Sequence, residues 1–207
     1  MRRNGVVRVK VCGVTRAEDA LAAEAAGADA IAVNLWARSK RYVDLDAAAA
    51  VFAPLGPFVQ RVAVVVDAPA SFVHQAIGRL RLGAVQFHGD EDDALVASFR
   101  ERVAVIRAVS FGPGLSVEHL RRLPVDAVLV DGLRPGSGEA FDWSEAEALR
   151  ALDRWVLAGG LTPDNVAAAI SALDPLGVDV ASGVESSPGV KDHDALRRFV
   201  AAAKSAR

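Results

Sequence analysis

The sequence predicts an α/β protein in which residues 1–207 form a single-domain (β/α)8 barrel. Eight short runs are rich in valine and bounded by turn residues, as buried strands are. Stretches rich in Ala, Leu, Glu and Arg with helical spacing alternate with these runs, at roughly one unit per 25 residues. A chain of 207 residues is long enough for one such barrel with a sizeable core.

The predicted elements follow one another in strict alternation. The strands are 6–12, 29–35, 58–66, 83–88, 103–109, 126–131, 154–158 and 177–181. The clearest helices are 17–26, 45–52, 92–99 and 163–172. The fifth crossover, 111–123, contains two glycines and a proline at 112–114, so the fifth helix is expected to be short or irregular. A doubly wound open sheet is the alternative fold, but no strand is followed by the G-x-G-x-x-G turn of its dinucleotide-binding version.

Composition restricts the classes of partner. The formal net charge of −2 leaves no basic stripe for nucleic acid. The single cysteine forms no intramolecular disulfide, which suits a reducing cytoplasm. Arg8 and Lys10 interrupt the first apolar run, so it lacks the character of a signal peptide, and no run reaches membrane-spanning length. We therefore expect a cytoplasmic protein without nucleic-acid or membrane partners.

Polar residues gather at the tails of several predicted strands. Side chains at i and i+2 share one face of a strand, and the opposite faces of these strands are purely apolar. If the apolar faces meet the outer helices, the polar residues line the lumen and its carboxyl-end mouth, where such barrels hold their active sites. The residues concerned are Lys10, Cys12, Gln86, His88, Asp131 and Asp179.

Cys12 and Asp131 are the candidate reactive groups. A cysteine here is either a small buried hydrophobic residue or, where a positive field lowers its pKa, a nucleophile or base. An aspartate that ends an apolar run is costly to bury unpaired. Asp131 is thus a partner for Lys10, a cap for the following loop, or a general acid.

Two glycine turns near the C-terminus indicate phosphate binding. Gly159 and Gly160 precede a predicted helix, and Ser182 and Gly183 follow the eighth strand. Loops after strands seven and eight frequently bind phosphate in these barrels through backbone N–H groups, although a single such turn is also a common tight connection. The basic loop 38–41 is either a solvated surface or a carboxylate site that uses an arginine. His88 fits a loop anchor better than a metal ligand, and no spacing matches zinc or calcium.

Six segments together carry a specific family pattern. They are 9–15 (VKVCGVT), 39–43 (SKRYV), 85–89 (VQFHG), 141–143 (FDW), 157–163 (LAGGLTP) and 178–185 (VDVASGVE). In order and spacing they resemble the phosphoribosylanthranilate isomerases of tryptophan biosynthesis, from residue 9 to about residue 199. The loop 135–140 departs from the usual family pattern at Glu139 and Ala140, which bears on loop mobility and affinity.

The resemblance implies an Amadori rearrangement. It would convert N-(5-phosphoribosyl)anthranilate to 1-(2-carboxyphenylamino)-1-deoxyribulose 5-phosphate without metal or organic cofactor. Cys12 matches the base that removes the C2 proton, and Asp131 the acid that protonates the ring oxygen. Arg41 matches the residue that holds the anthranilate carboxylate. The other matching positions are Gly159, Gly160, Ser182 and Gly183 in the phosphate loops, with Asp179 and His88 lining the site.

Three other functions compete with this one. Indole-glycerol-phosphate synthase needs a lysine acid and a catalytic glutamate whose motifs are not found. A dual isomerase that also serves histidine biosynthesis would be expected to show a half-barrel repeat, and none is seen. A catalytically inactive binding barrel would be expected to have lost Cys12 or Asp131, and both are present. Barrels of this size occur as monomers and as homodimers, and the sequence leaves that choice open.

Overall fold

The computed structural model describes residues 5–132 and 143–206, with side chains of the second range described from residue 146. Eight parallel strands close into a barrel in chain order, and helices surround it. The predicted (β/α)8 barrel is confirmed. The strands are β1 Arg8–Val11, β2 Ala30–Asn34, β3 Gln60–Val65, β4 Ala84–Phe87, β5 Ala104–Ser110, β6 Ala127–Asp131, β7 Trp155–Leu157 and β8 Gly177–Val180.

Seven α-helices are described around the barrel. They are α1 Ala17–Ala25, α2 Leu45–Phe52, α3 Ala70–Leu80, α4 Asp93–Ser98, α5 Val117–Arg122, α6 Val166–Leu173 and α7 His193–Lys204. The fifth is short, as predicted. The sixth crossover contains a 3₁₀ helix, Trp143–Ala151, and two further 3₁₀ turns occupy Phe99–Glu101 and Ser182–Val184. None of the described helices is both long enough and apolar enough to span a bilayer.

Several predicted boundaries are displaced by one to three residues. The third strand begins at Gln60 rather than at 58, and Phe58 projects almost fully exposed before it. The helix predicted from 163 begins at Val166, because the preceding residues form a turn in which Asn165 Oδ1 accepts the N–H of Thr162 at 2.8 Å. The segment 141–142 and residues Glu139 and Ala140 lie outside the described part of the chain.

Alternation along the strands separates two apolar layers. Val9, Val11 and Val85 belong to the large cluster between barrel and helices. Small residues fill the lumen instead, in one group that includes Ala32 and touches Cys12 and a second formed by Ala108, Leu129 and Ala158. The predicted assignment of faces is therefore confirmed for these strands.

A short antiparallel hairpin follows β8 and was not predicted. It consists of β9 Glu185–Ser187 and β10 Val190–Lys191. Thr15 Oγ1 donates a 2.6 Å hydrogen bond to the carbonyl of Gly189, which ties the hairpin to the loop after β1. The hairpin thus adds side chains to the carboxyl-end mouth.

Candidate active site

The buried ion pair of Lys10 and Asp179 forms the floor of the mouth. The two residues are register partners on β1 and β8, and Lys10 Nζ lies 2.8 Å from Asp179 Oδ1. Burial lowers the pKa of Lys10, but Asp179 and the Cys12 thiol outweigh that effect and raise the pKa above its ordinary value. The alternative that paired Lys10 with Asp131 is wrong, because barrel closure places β8, not β6, beside β1.

Cys12 follows β1 directly and is partly exposed. Its N–H donates to the carbonyl of Val180 at 2.8 Å, which fixes the residue against β8. Burial raises the pKa of the thiol, and Asp179 raises it further, whereas Lys10 and Lys191 lower it. The net effect on the pKa is upward, which favours the neutral thiol.

Asp131 ends β6 with its side chain 41% exposed. One carboxylate oxygen accepts the N–H of Gly132 at 2.7 Å, which is the loop-capping contact foreseen as one alternative. The other oxygen lies 4.0 Å from Nε2 of His88, beyond hydrogen-bond distance. The second carboxylate oxygen of Asp131 therefore does not share the contact with Gly132, and it faces the mouth of the barrel beside His88.

Glu91 holds the loop that carries His88. Its buried carboxylate accepts the N–H groups of Asp67 at 2.9 Å and of Gly89 at 3.0 Å, and pairs with Arg107 at 3.0 Å. A Cβ at Gly89 would lie 2.3 Å from an Asp67 carboxylate oxygen, so only glycine fits this turn. His88 was predicted to anchor this loop, but among the described residues Glu91 rather than the His88 ring is the anchor.

Arg41 is engaged by a carboxylate of the chain itself. Its Nε lies 2.7 Å from Oε1 of Glu185 and its Nη2 lies 2.6 Å from Oε2. This hydrogen bonding raises the pKa of Arg41; burial raises the pKa of Glu185, but Arg41 and Lys191 outweigh it and lower the pKa. A Cβ on Gly13 would overlap Cδ of Arg41 at 2.2 Å, so the glycine after Cys12 makes room for this side chain.

The two predicted phosphate loops lie in contact. Gly159 and Gly160 have φ angles of +94° and +59°, in the left-handed region that glycine tolerates. A Cβ at Gly183 would lie 1.8 Å from the carbonyl oxygen of Leu161, so the loops after β7 and β8 touch backbone to backbone. Ser182 begins the short 3₁₀ turn after β8. Both loops thus offer their backbone at one edge of the mouth.

Comparison with known proteins identifies the family. The model of the N-(5'-phosphoribosyl)anthranilate isomerase family matches residues 9–202, which is nearly the whole chain. The chain belongs to this family. The resemblance predicted from the six sequence segments is confirmed, and with it the assignment to the isomerases of tryptophan biosynthesis.

Relatives and solved structures agree with this assignment. The N-(5'-phosphoribosyl)anthranilate isomerase of Geobacter sp. (strain M21) is 46% identical over 206 residues, covering 96% of this chain and 98% of the relative. The crystal structure of the Thermotoga maritima isomerase superposes with a TM-score of 0.88 at 40% identity, covering 96% and 98% of the two chains. A structure of such an isomerase in complex with reduced 1-(o-carboxyphenylamino)-1-deoxyribulose 5-phosphate has a TM-score of 0.86 at 39% identity, with coverage of 96% and 98%.

In this member of the isomerase family, sequence reasoning missed Lys191 and the role of Glu185. Lys191 is fully buried, and its Nζ donates to the Cys12 carbonyl at 2.7 Å, the Ala181 carbonyl at 3.1 Å and Glu185 Oε1 at 2.9 Å. A lysine and a glutamate in a short polar segment resemble solvated loop residues, so composition gave no signal. Within the described ranges, no cluster of three or more His, Cys, Asp or Glu side chains is arranged to hold a metal ion.

Proposed function

We propose that the chain catalyses the Amadori rearrangement of N-(5'-phosphoribosyl)anthranilate, with Cys12 as general base and Asp131 as general acid. One observation carries the proposal. Asp131 stands on β6 and Cys12 follows β1, and the two strands between them in the ring, β7 and β8, are followed by the glycine loops. A substrate whose phosphate binds those loops lies between an acid on one side and a base on the other.

The chemistry divides between the two groups. Protonated Asp131 donates to the ribofuranose ring oxygen, the C1–O bond breaks, and the nitrogen lone pair forms the C1=N bond of a Schiff base. The thiolate of Cys12 then removes the proton from C2, and the electron pair moves to give an enaminol. Tautomerisation of the enaminol returns a proton to C1 and yields the aminoketose. No atoms are gained or lost, as an isomerisation requires.

Arg41 is the proposed contact for the anthranilate carboxylate. Glu185 occupies Nε and Nη2, whereas Nη1 has no hydrogen-bond partner among the described residues. Nη1 therefore offers N–H groups to a second carboxylate without disruption of the first pair. The phosphate contacts fall to Gly159, Gly160, Ser182 and Gly183, while Asp179 and His88 border the reacting sugar.

A fluorescence assay tests the proposal. The labile substrate is generated in situ, and loss of the anthranilate signal is followed with wild type, Cys12→Ala and Asp131→Asn. Turnover by wild type alone supports both the reaction and the two roles. A folded wild type that binds a phosphorylated anthranilate analogue but does not turn substrate over would instead be a binding barrel.

We further propose that residues 1–207 act as one barrel domain that pairs as a homodimer in the cytoplasm, where a free thiol persists. Phe58 is 97% exposed at the rim of a cavity of about 420 Å³ at the amino-terminal end of the barrel, which is lined by apolar residues such as Val62 and Ile106 and by charged residues such as Arg8 and Asp29. A Thermotoga maritima structure, 37% identical with a TM-score of 0.85, is described as mutually generated monomers of a dimeric phosphoribosylanthranilate isomerase. In a homodimer, Phe58 of each copy would pack against the cavity of the other copy, so that both exposed surfaces would be buried.

A further inference from the structure

Lys191 lies where three parts of the mouth meet. Its ammonium has three N–H bonds, and the three acceptors around Nζ use all of them. A neutral amine would offer only two, so the three contacts favour the protonated form and oppose the burial that lowers the pKa of Lys191. The side chain has no exposed surface, so water does not screen the charge.

Each acceptor belongs to a different functional part. The Cys12 carbonyl carries the proposed base, and the Ala181 carbonyl directly precedes Ser182 of a phosphate loop. The third acceptor, Glu185, holds Arg41, the proposed contact for the substrate carboxylate. One buried cation therefore links base, phosphate loop and carboxylate contact.

The charges around Cys12 come from five elements. Lys10 on β1 and Asp179 on β8 pair with each other and cancel. Arg41, in the loop after β2, and Lys191 on β10 share Glu185 on β9, so two cations face one anion and this triad has a net charge of +1. Lys191 is the cation of this triad with no exposed side-chain surface, and its removal would leave the charges around the thiol balanced.

We propose that Lys191 is a positioning residue that stabilises the thiolate of Cys12 while it fixes the adjoining loop. The proposal rests on the proposed function, in which that thiolate is the base. A purely structural lysine would hold the hairpin in place without an effect on thiol ionisation. The burial that raises the pKa of Cys12 is opposed by Lys10 and by Lys191, which agrees in sign with the proposal.

Thiol ionisation can be measured directly, because Cys12 is the only cysteine in the chain. Thiolate absorbance near 240 nm is followed against pH for wild type, Lys191→Met and Glu185→Gln. Lys191→Met leaves the triad neutral, so the thiolate fraction below the midpoint should fall on the order of tenfold. Glu185→Gln leaves two cations without their anion, so the midpoint should move down. Lys204→Met is the matched control, since it removes a lysine paired with Asp29 at the far end of the barrel and should not move the midpoint.

The midpoint of thiol ionisation should move up in Lys191→Met and down in Glu185→Gln, and these opposite shifts distinguish an electrostatic role of Lys191 from a structural one. If the midpoint stays in place in folded Lys191→Met, the proposal is overturned. If Lys191→Met does not fold, Glu185→Gln decides alone: a lowered midpoint supports the proposal, and an unchanged or raised one overturns it. The pH profile of kcat/KM is recorded in parallel. An inactive wild type would defeat the proposed function and leave the thiol titration interpretable.

Discussion

Arg41 and Glu185 form a two-point ion pair across the mouth, with N–O distances of 2.7 and 2.6 Å. The pair holds the planar guanidinium in one orientation, because both contacts lie along one edge of the fork. The edge that carries Nη1 then faces away from Glu185. An arginine predicted to bind a substrate carboxylate is thus preoriented by a carboxylate of the protein.

Replacement of this arginine tests the preorientation. Arg41→Lys keeps the charge, but an ammonium cannot both bind Glu185 at two points and present a second edge to the substrate carboxylate. KM should therefore rise by about tenfold or more, with a smaller change in kcat. Arg41→Ala should raise KM further. Steady-state kinetics check this against Arg100→Lys, which alters an exposed arginine paired with Asp126. An unchanged KM in Arg41→Lys would remove Arg41 from the binding site.

The pH dependence of alkylation should report the raised pKa of Cys12. The thiol is protonated below its pKa, and burial places that pKa above the ordinary value of 9.0. Iodoacetamide reacts with the thiolate, so the rate of Cys12 alkylation should rise about tenfold per pH unit until that pKa is reached. Cys12→Ala is the control, because it removes the single cysteine of the chain and mass spectrometry should find no added group on it. A rate that levels off below pH 9 would show that the pKa of the thiol is not raised.

Much of the fold follows from local pattern. The alternation of polar and apolar residues within each strand is set by backbone geometry, so the lumen position of Lys10 and Cys12 and the helix-facing position of Val9 and Val11 were predictable. The carboxyl-end location of the candidate residues follows from the parallel barrel itself.

The choice of partners among those residues was not predictable. Lys10 pairs with Asp179 because closure sets β1 against β8 in a particular register, and no local pattern encodes that register. Lys191 reaches the Cys12 carbonyl across 179 positions of sequence. Such contacts depend on how loops pack over the mouth, so a short polar hairpin gives no sign of them.

Loss of the acid should be as damaging as loss of the base. Asp131→Asn keeps the shape and the contact with the Gly132 N–H, but an amide is too weak an acid to protonate the ring oxygen, so kcat should fall by about 10²–10⁴. His88→Gln should cost far less, because the ring lies 4.0 Å from Asp131 and makes no hydrogen bond to it. Single-turnover kinetics on both variants compare the chemical step. Equal losses would indicate that His88 takes part in proton transfer.

Contact between the phosphate loops should depend on Gly183. An added methyl group would lie 1.8 Å from the Leu161 carbonyl oxygen, so Gly183→Ala must separate the loops after β7 and β8. The overlap should destabilise the fold by about 1–3 kcal/mol and raise the Kd for inorganic phosphate. Gly78→Ala in α3 is the matched control, since nothing lies within 4 Å of its added Cβ and alanine favours a helix by about 1 kcal/mol. Denaturant unfolding and phosphate titration together separate the two effects. Wild-type behaviour of Gly183→Ala in both would show that the loops tolerate separation.

Phe58 should control assembly without an effect on chemistry. It stands at the amino-terminal end of the barrel, beside the cavity of about 420 Å³, while the candidate catalytic residues occupy the opposite end. A glutamate at this position would place a charge against the cavity of a second copy, which is costly to desolvate, so Phe58→Glu should be monomeric where wild type is dimeric. Light scattering after size-exclusion chromatography gives the mass of each protein. The kcat per chain of Phe58→Glu should equal that of wild type, because the catalytic residues lie at the opposite end of the barrel. A wild type that elutes as a monomer at high micromolar concentration would refute the dimer, and a dimeric Phe58→Glu would place its interface elsewhere.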